Sequence, residues 1–361
     1  MKVMMVEPSG QGKLSQYAYN LSRALIASGH SVSLVTGQAD RLKEKSDVPM
    51  FPLFPEGLIG PRSYWRFFKF IRSENPDIVH IQWVPSAPFI VVVGLMRRWV
   101  RAKIICTAHN VMPHESKFYH SYFFSRFYSR LDRVLVHSRF DRKEMLALTG
   151  LADNGVGVVP VPSPIGWKPV STKAQARTEL GLDADDQLVL FFGYVSREKG
   201  IEESLSAIGL VRRQAGKAKL LVVGEVGDDE VREKIKNTPG VIAELAYVSN
   251  DRAATYFSAC DVVVLPYRKA NQSPIIPMAY SFGRPVVATK HQIETVIPGE
   301  TGYLVEPCDP GDLAKGIIDI LDKKSSLRTL SEGAAALGAG TYSNEGVAQA
   351  NVDVYKEVLN L

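Results

Sequence analysis

The sequence predicts an α/β protein made of two parallel-sheet units. Three observations carry that expectation. Short Val/Ile/Leu runs recur without polar alternation, as strands buried on both faces require. Segments with apolar residues at helical spacing separate one run from the next. A stretch with three prolines in five residues, Pro160-Val161-Pro162-Ser163-Pro164, stands between two halves that follow the same pattern.

In the first half the runs at 3–6, 32–35, 78–81, 104–107, 134–137 and 156–161 read as strands. Between the first two, Leu14, Tyr17, Ala18, Leu21 and Leu25 fall on one helical face, and Gly29 closes the helix. In the second half the strand runs are 188–192, 220–223, 262–265 and 285–288. The boundary is expected near residue 165, giving domains 1–165 and 166–344. A final helix over 345–361 carries Val347, Ala350, Val354 and Val358 on one face.

Composition narrows the class. The 361 residues are 45% hydrophobic and 22% charged, an ordinary globular mixture that excludes wholesale disorder. Cys106, Cys260 and Cys308 are odd in number and far apart, which argues for a reducing compartment rather than a disulfide framework. The apolar start is too short for a signal peptide. The longest apolar run, 87–96, contains Pro88 and Gly94 and falls short of the roughly 20 residues of a spanning helix. A cytoplasmic protein is expected. The net charge of +5 hides an asymmetry, because residues 1–165 hold 21 basic and 12 acidic side chains and the remainder is mildly acidic.

Open parallel sheets take ligands beyond the carboxyl ends of their strands, and two such sheets facing each other form a cleft lined by those loops. The first strand is followed by Pro8-Ser9-Gly10-Gln11-Gly12-Lys13, opening a helix. This is either an anion-binding turn, with glycines that admit a ligand to the backbone, or simply a tight connection. It is neither a full dinucleotide fingerprint, since Ser15 holds the third glycine position, nor a P-loop. The fourth strand leads into Thr107-Ala108-His109-Asn110-Val111-Met112-Pro113-His114-Glu115. Polar groups this dense at a buried strand end meet a ligand or one another. A metal site from His109, His114 and Glu115 is conceivable, though their spacing matches no standard ligand set, and substrate contact and an internal hydrogen-bond cluster are the other readings. In the second half, Gly193-Tyr194-Val195-Ser196-Arg197-Glu198-Lys199-Gly200 offers a glycine turn, cations and a helix start, suited to a pyrophosphate or to a solvated turn. Pro266 to Pro277 aims a further polar loop the same way.

The ordered set formed by Gly10 and Gly12, the Thr-Ala-His-Asn loop, Gly193 with Lys199-Gly200, residues 261–267, 282–289 and 299–305 resembles the retaining glycosyltransferases of the GT-B fold, family 4, along essentially the whole chain. The resemblance implies two Rossmann-like domains facing across a cleft. A nucleotide-diphosphate sugar would be held by 166–344 and an acceptor by 1–165, with the last helix crossing back to the first domain. It also implies no cofactor and no metal. By position, His109 would touch the transferred sugar or the β-phosphate, and Lys199, helped by Arg197, would pair with the diphosphate. Gly10, Gly12 and Gly193 would admit the backbone to phosphate. Gly224, Tyr247 and Val248 match loops that hold the base, and backbone N–H groups near Ser273 and Ile275 would cap the phosphate. Asn110, His114 and Glu115 are candidates on the acceptor side.

The chain also departs from the family pattern. Two positions usually held by glutamates read Ala270 and Met278, with Gln272, Ser273 or Asn271 as candidate replacements for hydroxyl contacts. The usual arginine after the glycine turn reads Tyr194, and Pro274 removes an N–H. The expected function is transfer of a hexose-like sugar to a glycan or lipid-linked acceptor, in cell-surface polysaccharide or glycolipid synthesis. A nucleotide-sugar epimerase or hydrolase, and a non-catalytic partner subunit of another transferase, are the alternatives. Aromatics interleave with cations at 64–72, 97–101 and 117–130, which fits either amphipathic core helices or a face resting on an anionic membrane. No nucleic-acid motif accompanies the charge.

Overall fold

The structure, a computed structural model, describes the chain except residues 39–46, 56–59, 83–86, 98, 112–117, 164–168, 170, 270–272 and 323. Residues 87, 88, 95, 96, 118–120 and 324 are described by their backbone alone. The chain divides into two compact units, Met1–Pro164 with Asn344–Leu361, and Ile165–Ser343. Of the proline-rich link, residues 160–163 are described and Pro164 is not.

The sheet of the first unit starts at its centre. β1 (Lys2–Glu7) pairs with β2 (Ser31–Gly37) on one side, and β3 (Met50–Phe54) lies beyond β2. On the other side follow β4 (Ile78–Ile81), β5 (Lys103–Thr107), β6 (Arg133–Val136) and β7 (Val156–Val158). All neighbours are parallel, and Val6 stands between Val35 and Ile81. Side chains alternate between two helical layers. Val3 and Met5 point into a core with α1 (Gly12–Ala27) and α13 (Asn344–Leu359), through Tyr17, Leu21, Leu25, Val347 and Tyr355. Met4 and Val6 point into the opposite core, built from α2 (Pro61–Glu74), α3 (Ala87–Met96), α4 (Phe118–Tyr128) and α5 (Arg139–Thr149), through Phe67, Phe89, Phe127 and Met145. The last helix therefore belongs to the first unit.

The second unit repeats the plan with six parallel strands. β8 (Gln187–Phe192) is central, β9 (Ala218–Val223) and β10 (Val241–Glu244) run to one edge, and β11 (Val262–Leu265), β12 (Val286–Thr289) and β13 (Gly302–Val305) to the other. The helices that matter below are α6 (Lys173–Glu179), α7 (Ile201–Gln214), α8 (Asp229–Asn237) and α10 (Ile275–Ser281). Buried Asp261 ties α6 to β8, accepting from Leu188 N at 2.7 Å and from the Arg177 guanidinium of α6 at 3.0 Å.

Three strands, β3, β10 and β13, were not expected from the apolar runs, and all three lie at sheet edges. An edge strand is covered on fewer sides, so its sequence need not be continuously apolar. β10 reads Val-Ile-Ala-Glu with its middle residues exposed. β3 carries Pro52, whose missing N–H is tolerated at an edge. In each sheet the order reverses beside the first strand, between β1 and β4 and between β8 and β11. The loops leaving those four strands border the crevice that open α/β sheets use for ligands.

Backbone crowding at these crevices makes two glycines obligatory. Gly200 has φ +79° and a side chain there would overlap the Pro266 carbonyl, while Gly224 has φ +140° and would overlap the carbonyl of Gly193. Gly200→Ala and Gly224→Ala should each lose about 2 kcal/mol or more in urea unfolding. Gly209→Ala, within α7 with nothing near its Cβ position, should gain up to about 1 kcal/mol. Equal effects at the three positions would contradict this.

Candidate active site

At the first crevice, Glu7 ends β1 fully buried. Its carboxylate accepts from Ser9 Oγ at 2.6 Å, Gly10 N at 2.8 Å and Ser9 N at 3.2 Å. The turn is thus held by its own carboxylate, and the amides of Ser9 and Gly10 are engaged by it. Gly10, at φ +64°, packs on the backbone of Gly37, where a Cβ would come within 2.9 Å of the carbonyl oxygen. Gly12, at φ +71°, has nothing within 4 Å of the corresponding position. α1 begins there with no side-chain cap bond and no acidic residue in its first turn, so its dipole is unanswered by a carboxylate of that turn.

Beside this turn lies a chain of hydrogen bonds across three strand ends. His80 in β4 has Nδ1 2.6 Å from the Tyr355 hydroxyl of α13, and Nε2 2.7 Å from Thr107 Oγ1 and 3.2 Å from the Gln82 amide. Gln82 reaches His109 Nε2 at 3.2 Å. His109 Nδ1 lies 3.1 Å from His137 Nε2, and His137 Nδ1 lies 3.0 Å from the Val159 carbonyl oxygen. Tyr17 of α1 stands edge-on to the His109 ring at 4.8 Å.

Proton placement follows from the ends. A carbonyl only accepts, so His137 Nδ1 donates to Val159, and a neutral His137 accepts at Nε2 from His109 Nδ1. Nε2 of a neutral His109 is then an acceptor facing Gln82. Two arrangements satisfy that contact. Either His109 is an imidazolium donating to Gln82 Oε1, or the amide turns end for end, its NH2 donating to His109 and its oxygen accepting from His80 Nε2–H. Burial favours the second, which gives up the 3.0 Å contact of the amide nitrogen to Met5 Sδ. It pulls His80 down to about 3 and lowers His109 and His137 below the ordinary imidazole value. Burial also raises the Tyr17 hydroxyl, which has no partner among the described residues.

Both ring nitrogens of His109 are therefore engaged within the unit, while its half-buried ring and exposed Asn110 border the loop. His114 and Glu115 lie outside the described residues. Tyr17, Gln82 and His137 went unrecognised in the sequence, although His137 closes an apolar run.

At the second crevice the Lys199 ammonium sits 3.9 Å from the centre of the Tyr267 ring. The Tyr267 hydroxyl lies 2.9 Å from Ser273 Oγ, which accepts from Ile275 N at 3.3 Å. The space beside Gly193 opens toward Ile275 Cδ1 at 3.9 Å. Lys199 and Ser273 thus meet at Tyr267, and Ile275 joins Ser273 to Gly193. Gly224 packs backbone to backbone on Gly193.

Arg197 is placed differently from its expected role. Its Nε, Nη1 and Nη2 pair with Asp228 at 3.2 Å, Glu202 at 3.2 Å and Glu230 at 2.6 Å, which raises the guanidinium's affinity for its proton. Arg268 bridges Glu202 and Glu203. The first turn of α7 is therefore answered by its own glutamates, and Arg197 serves that cluster rather than standing open to a diphosphate. Tyr247 is 78% exposed beside half-buried Val248. Met278 is buried in the core, and Ala270, Asn271 and Gln272 lie outside the described residues.

A family model described as Glycosyltransferase Family 4 matches residues 14–162, and one described as Glycosyl transferases group 1 matches residues 186–323. The chain belongs to the family 4 glycosyltransferases. It is 24% identical to the phosphatidyl-myo-inositol mannosyltransferase of Mycolicibacterium smegmatis, over 89% of this chain and 85% of that one. It is 25% identical to the alpha-D-kanosaminyltransferase of Streptomyces kanamyceticus, over 52% of this chain and 49% of that one. With a D-inositol 3-phosphate glycosyltransferase of Segniliparus rotundus it shares 28% identity, over 63% of this chain and 53% of that one. The chain thus spans about half the length of several curated relatives it matches. A crystal structure of a glycosyltransferase from Rickettsia africae superposes with TM-score 0.79 at 17% identity, covering 99% of this chain and 98% of that one. Anabaena HepE in complex with UDP and glucose gives TM-score 0.76 at 18% identity, with both chains fully covered. These likenesses show the GT-B fold.

The histidine chain gives this glycosyltransferase-family protein a pH signature. Histidines kept neutral when folded take up protons on unfolding, so stability is fully present above the unfolded value near 6.5 and falls as pH drops below it. Between about pH 7 and pH 5, urea unfolding should weaken with falling pH. Each histidine that charges only on unfolding contributes a slope of up to about 1.4 kcal/mol per pH unit. Constant stability across that window would contradict the neutral chain.

Proposed function

We propose that the protein is a retaining glycosyltransferase that moves a hexose-like sugar from a nucleotide diphosphate to a glycan or lipid-linked acceptor. The observation that carries this reading is Lys199 held over Tyr267 at the β8/β11 crevice, with Gly193, Ser273 and Ile275 beside it. A diphosphate leaving group needs its growing charge met by preorganised positive charge and N–H donors. Lys199 supplies the charge, and the backbone at Ser273 and Ile275 lies next to it. In the first unit, Gly12 and the first turn of α1 offer an opening with unanswered dipole, and His109 presents a neutral ring beside it.

Retention is proposed to proceed with the leaving phosphate taking the acceptor proton on the face it departs from, without a protein nucleophile. Glu7, the carboxylate nearest the first turn in sequence, supports this, because three donors of its own turn occupy it. The proposed reaction uses Lys199 and backbone dipoles where other transferases use a metal. HepE was crystallised with UDP and glucose, and the mycobacterial relative is named for mannosyl transfer to phosphatidyl-myo-inositol, both compatible with this substrate class. Synthesis of a cell-surface polysaccharide or glycolipid at the inner face of the membrane completes the proposal. The basic first unit would rest on anionic lipid.

The test is transfer from a panel of nucleotide sugars, chosen by thermal shift, to lipid and glycan acceptors. Lys199→Ala should lower kcat/KM by about 100-fold or more. Arg197→Ala should change it by less than about tenfold, since its N–H groups already serve Asp228, Glu202 and Glu230. Undiminished transfer by Lys199→Ala, or donor cleavage that ignores every acceptor, would overturn the reading.

A further inference from the structure

The outer helical layer of the first unit carries a feature that sugar transfer does not use. α3 reads Ala-Pro-Phe-Ile-Val-Val-Val-Gly-Leu-Met, with no charged residue on any face. A helix apolar all round is ordinarily buried, yet Val91 is 52% exposed. Alongside it, α4 presents Tyr122 at 63% and Phe123 at 39% exposure. Between them runs a groove of about 430 Å³, floored by Ile90, Val91 and Gly94 and walled by Tyr122 and Phe123. Arg126 and Arg130 line it as well, four and eight residues beyond Tyr122. The Arg126 guanidinium lies 5.9 Å from the Tyr122 ring centre. Gly94 makes room for Arg130, whose Nη1 would be 3.6 Å from a Cβ there.

The charged side chains that line the groove are both arginines. Among the described residues no carboxylate pairs with Arg126 or Arg130, whereas nearby Arg97 is answered by Asp132 at 3.4 Å. The same layer exposes Trp65 with Lys69 5.4 Å from its ring, Trp99 and Phe140, along with Arg62, Arg66 and Arg101. Aromatic rings beside cations on an apolar base are the composition of a membrane interface. An amphipathic peptide helix also lies in apolar grooves, but here the apolar floor ends in two arginines and is rimmed by aromatic rings, which matches an acyl chain joined to an anionic headgroup.

We propose that the α3/α4 groove binds one anionic phospholipid of a bilayer, its acyl chain along Ile90, Val91 and Gly94 and its phosphate at Arg126 and Arg130. This refines the membrane placement of the first unit, and it does not depend on sugar transfer. The cations draw the layer to an anionic surface, and the groove fixes its orientation there by taking a lipid out of the leaflet.

The experiment is co-sedimentation with phosphatidylcholine vesicles and with vesicles containing phosphatidylglycerol, at low and high salt, with no donor or acceptor present. The wild-type chain should bind only the anionic vesicles, less tightly at high salt. Gly94→Leu fills the groove while keeping every charge, and its Cβ position meets only the Arg130 side chain. It should weaken binding about tenfold, as should Arg126→Gln with Arg130→Gln, both with unchanged thermal unfolding. Arg62→Gln with Arg66→Gln removes the same charge outside the groove and should weaken binding less than the Arg126/Arg130 pair. Wild-type binding by Gly94→Leu would mean a diffuse charged surface and overturn the groove. Full displacement by inorganic phosphate would mean a simple anion site and overturn it too, as would indifference to phosphatidylglycerol.

Discussion

A parallel strand buried on both faces leaves polar chemistry little room except at its ends, and both sheets of this chain obey that constraint. Between their end residues β1, β4, β8 and β11 are lined by apolar side chains, apart from His80 in β4. The candidate site groups gather at or just past their carboxyl ends: Glu7 at the end of β1 and Gly12 after it, Gln82 after β4, Gly193 and Lys199 after β8, Tyr267 and Ser273 after β11. The reversal of strand order beside β1 and β8 is what separates these loops enough to admit a ligand.

Polar groups placed at such ends must be paired, and the two units meet that demand in opposite ways. The first unit pairs neutral groups. Tyr355, His80, Gln82, His109 and His137 hand hydrogen bonds along to the Val159 carbonyl, and the last helix takes part through Tyr355. His109 is thereby oriented from both nitrogens, so its role in the proposed reaction is to present a fixed, uncharged ring. The second unit pairs ions at its surface. Arg197, Arg268 and Lys234 pair with the glutamates around the start of α7, and Lys199 stands on the face of Tyr267.

Much of this was legible in the sequence. Central strands are continuous apolar runs because both faces are covered, and the final helix shows its apolar stripe in Val347 and Val354, which are buried against the first unit. Edge strands escaped because an edge relaxes the demand for apolar residues, as Pro52 and the exposed middle of β10 illustrate. The glycines and Lys199 could be placed from their position after strands. The fate of Arg197 could not, since Asp228 and Glu230 lie some thirty residues away and are brought to it by α8. His137 and Tyr17 stayed hidden for a related reason. A histidine at a strand end looks the same in sequence whether it faces solvent or closes a buried chain of hydrogen bonds.

The central claim is that a nucleotide diphosphate is neutralised at the β8/β11 crevice by Lys199. A crystal structure with a nucleoside diphosphate bound tests it most directly. The account predicts a phosphate oxygen within about 3 Å of Lys199 Nζ, with Ser273 and Ile275 against the same phosphates and Arg197 still on its carboxylates. A diphosphate held elsewhere, with Lys199 still resting on Tyr267, would contradict it.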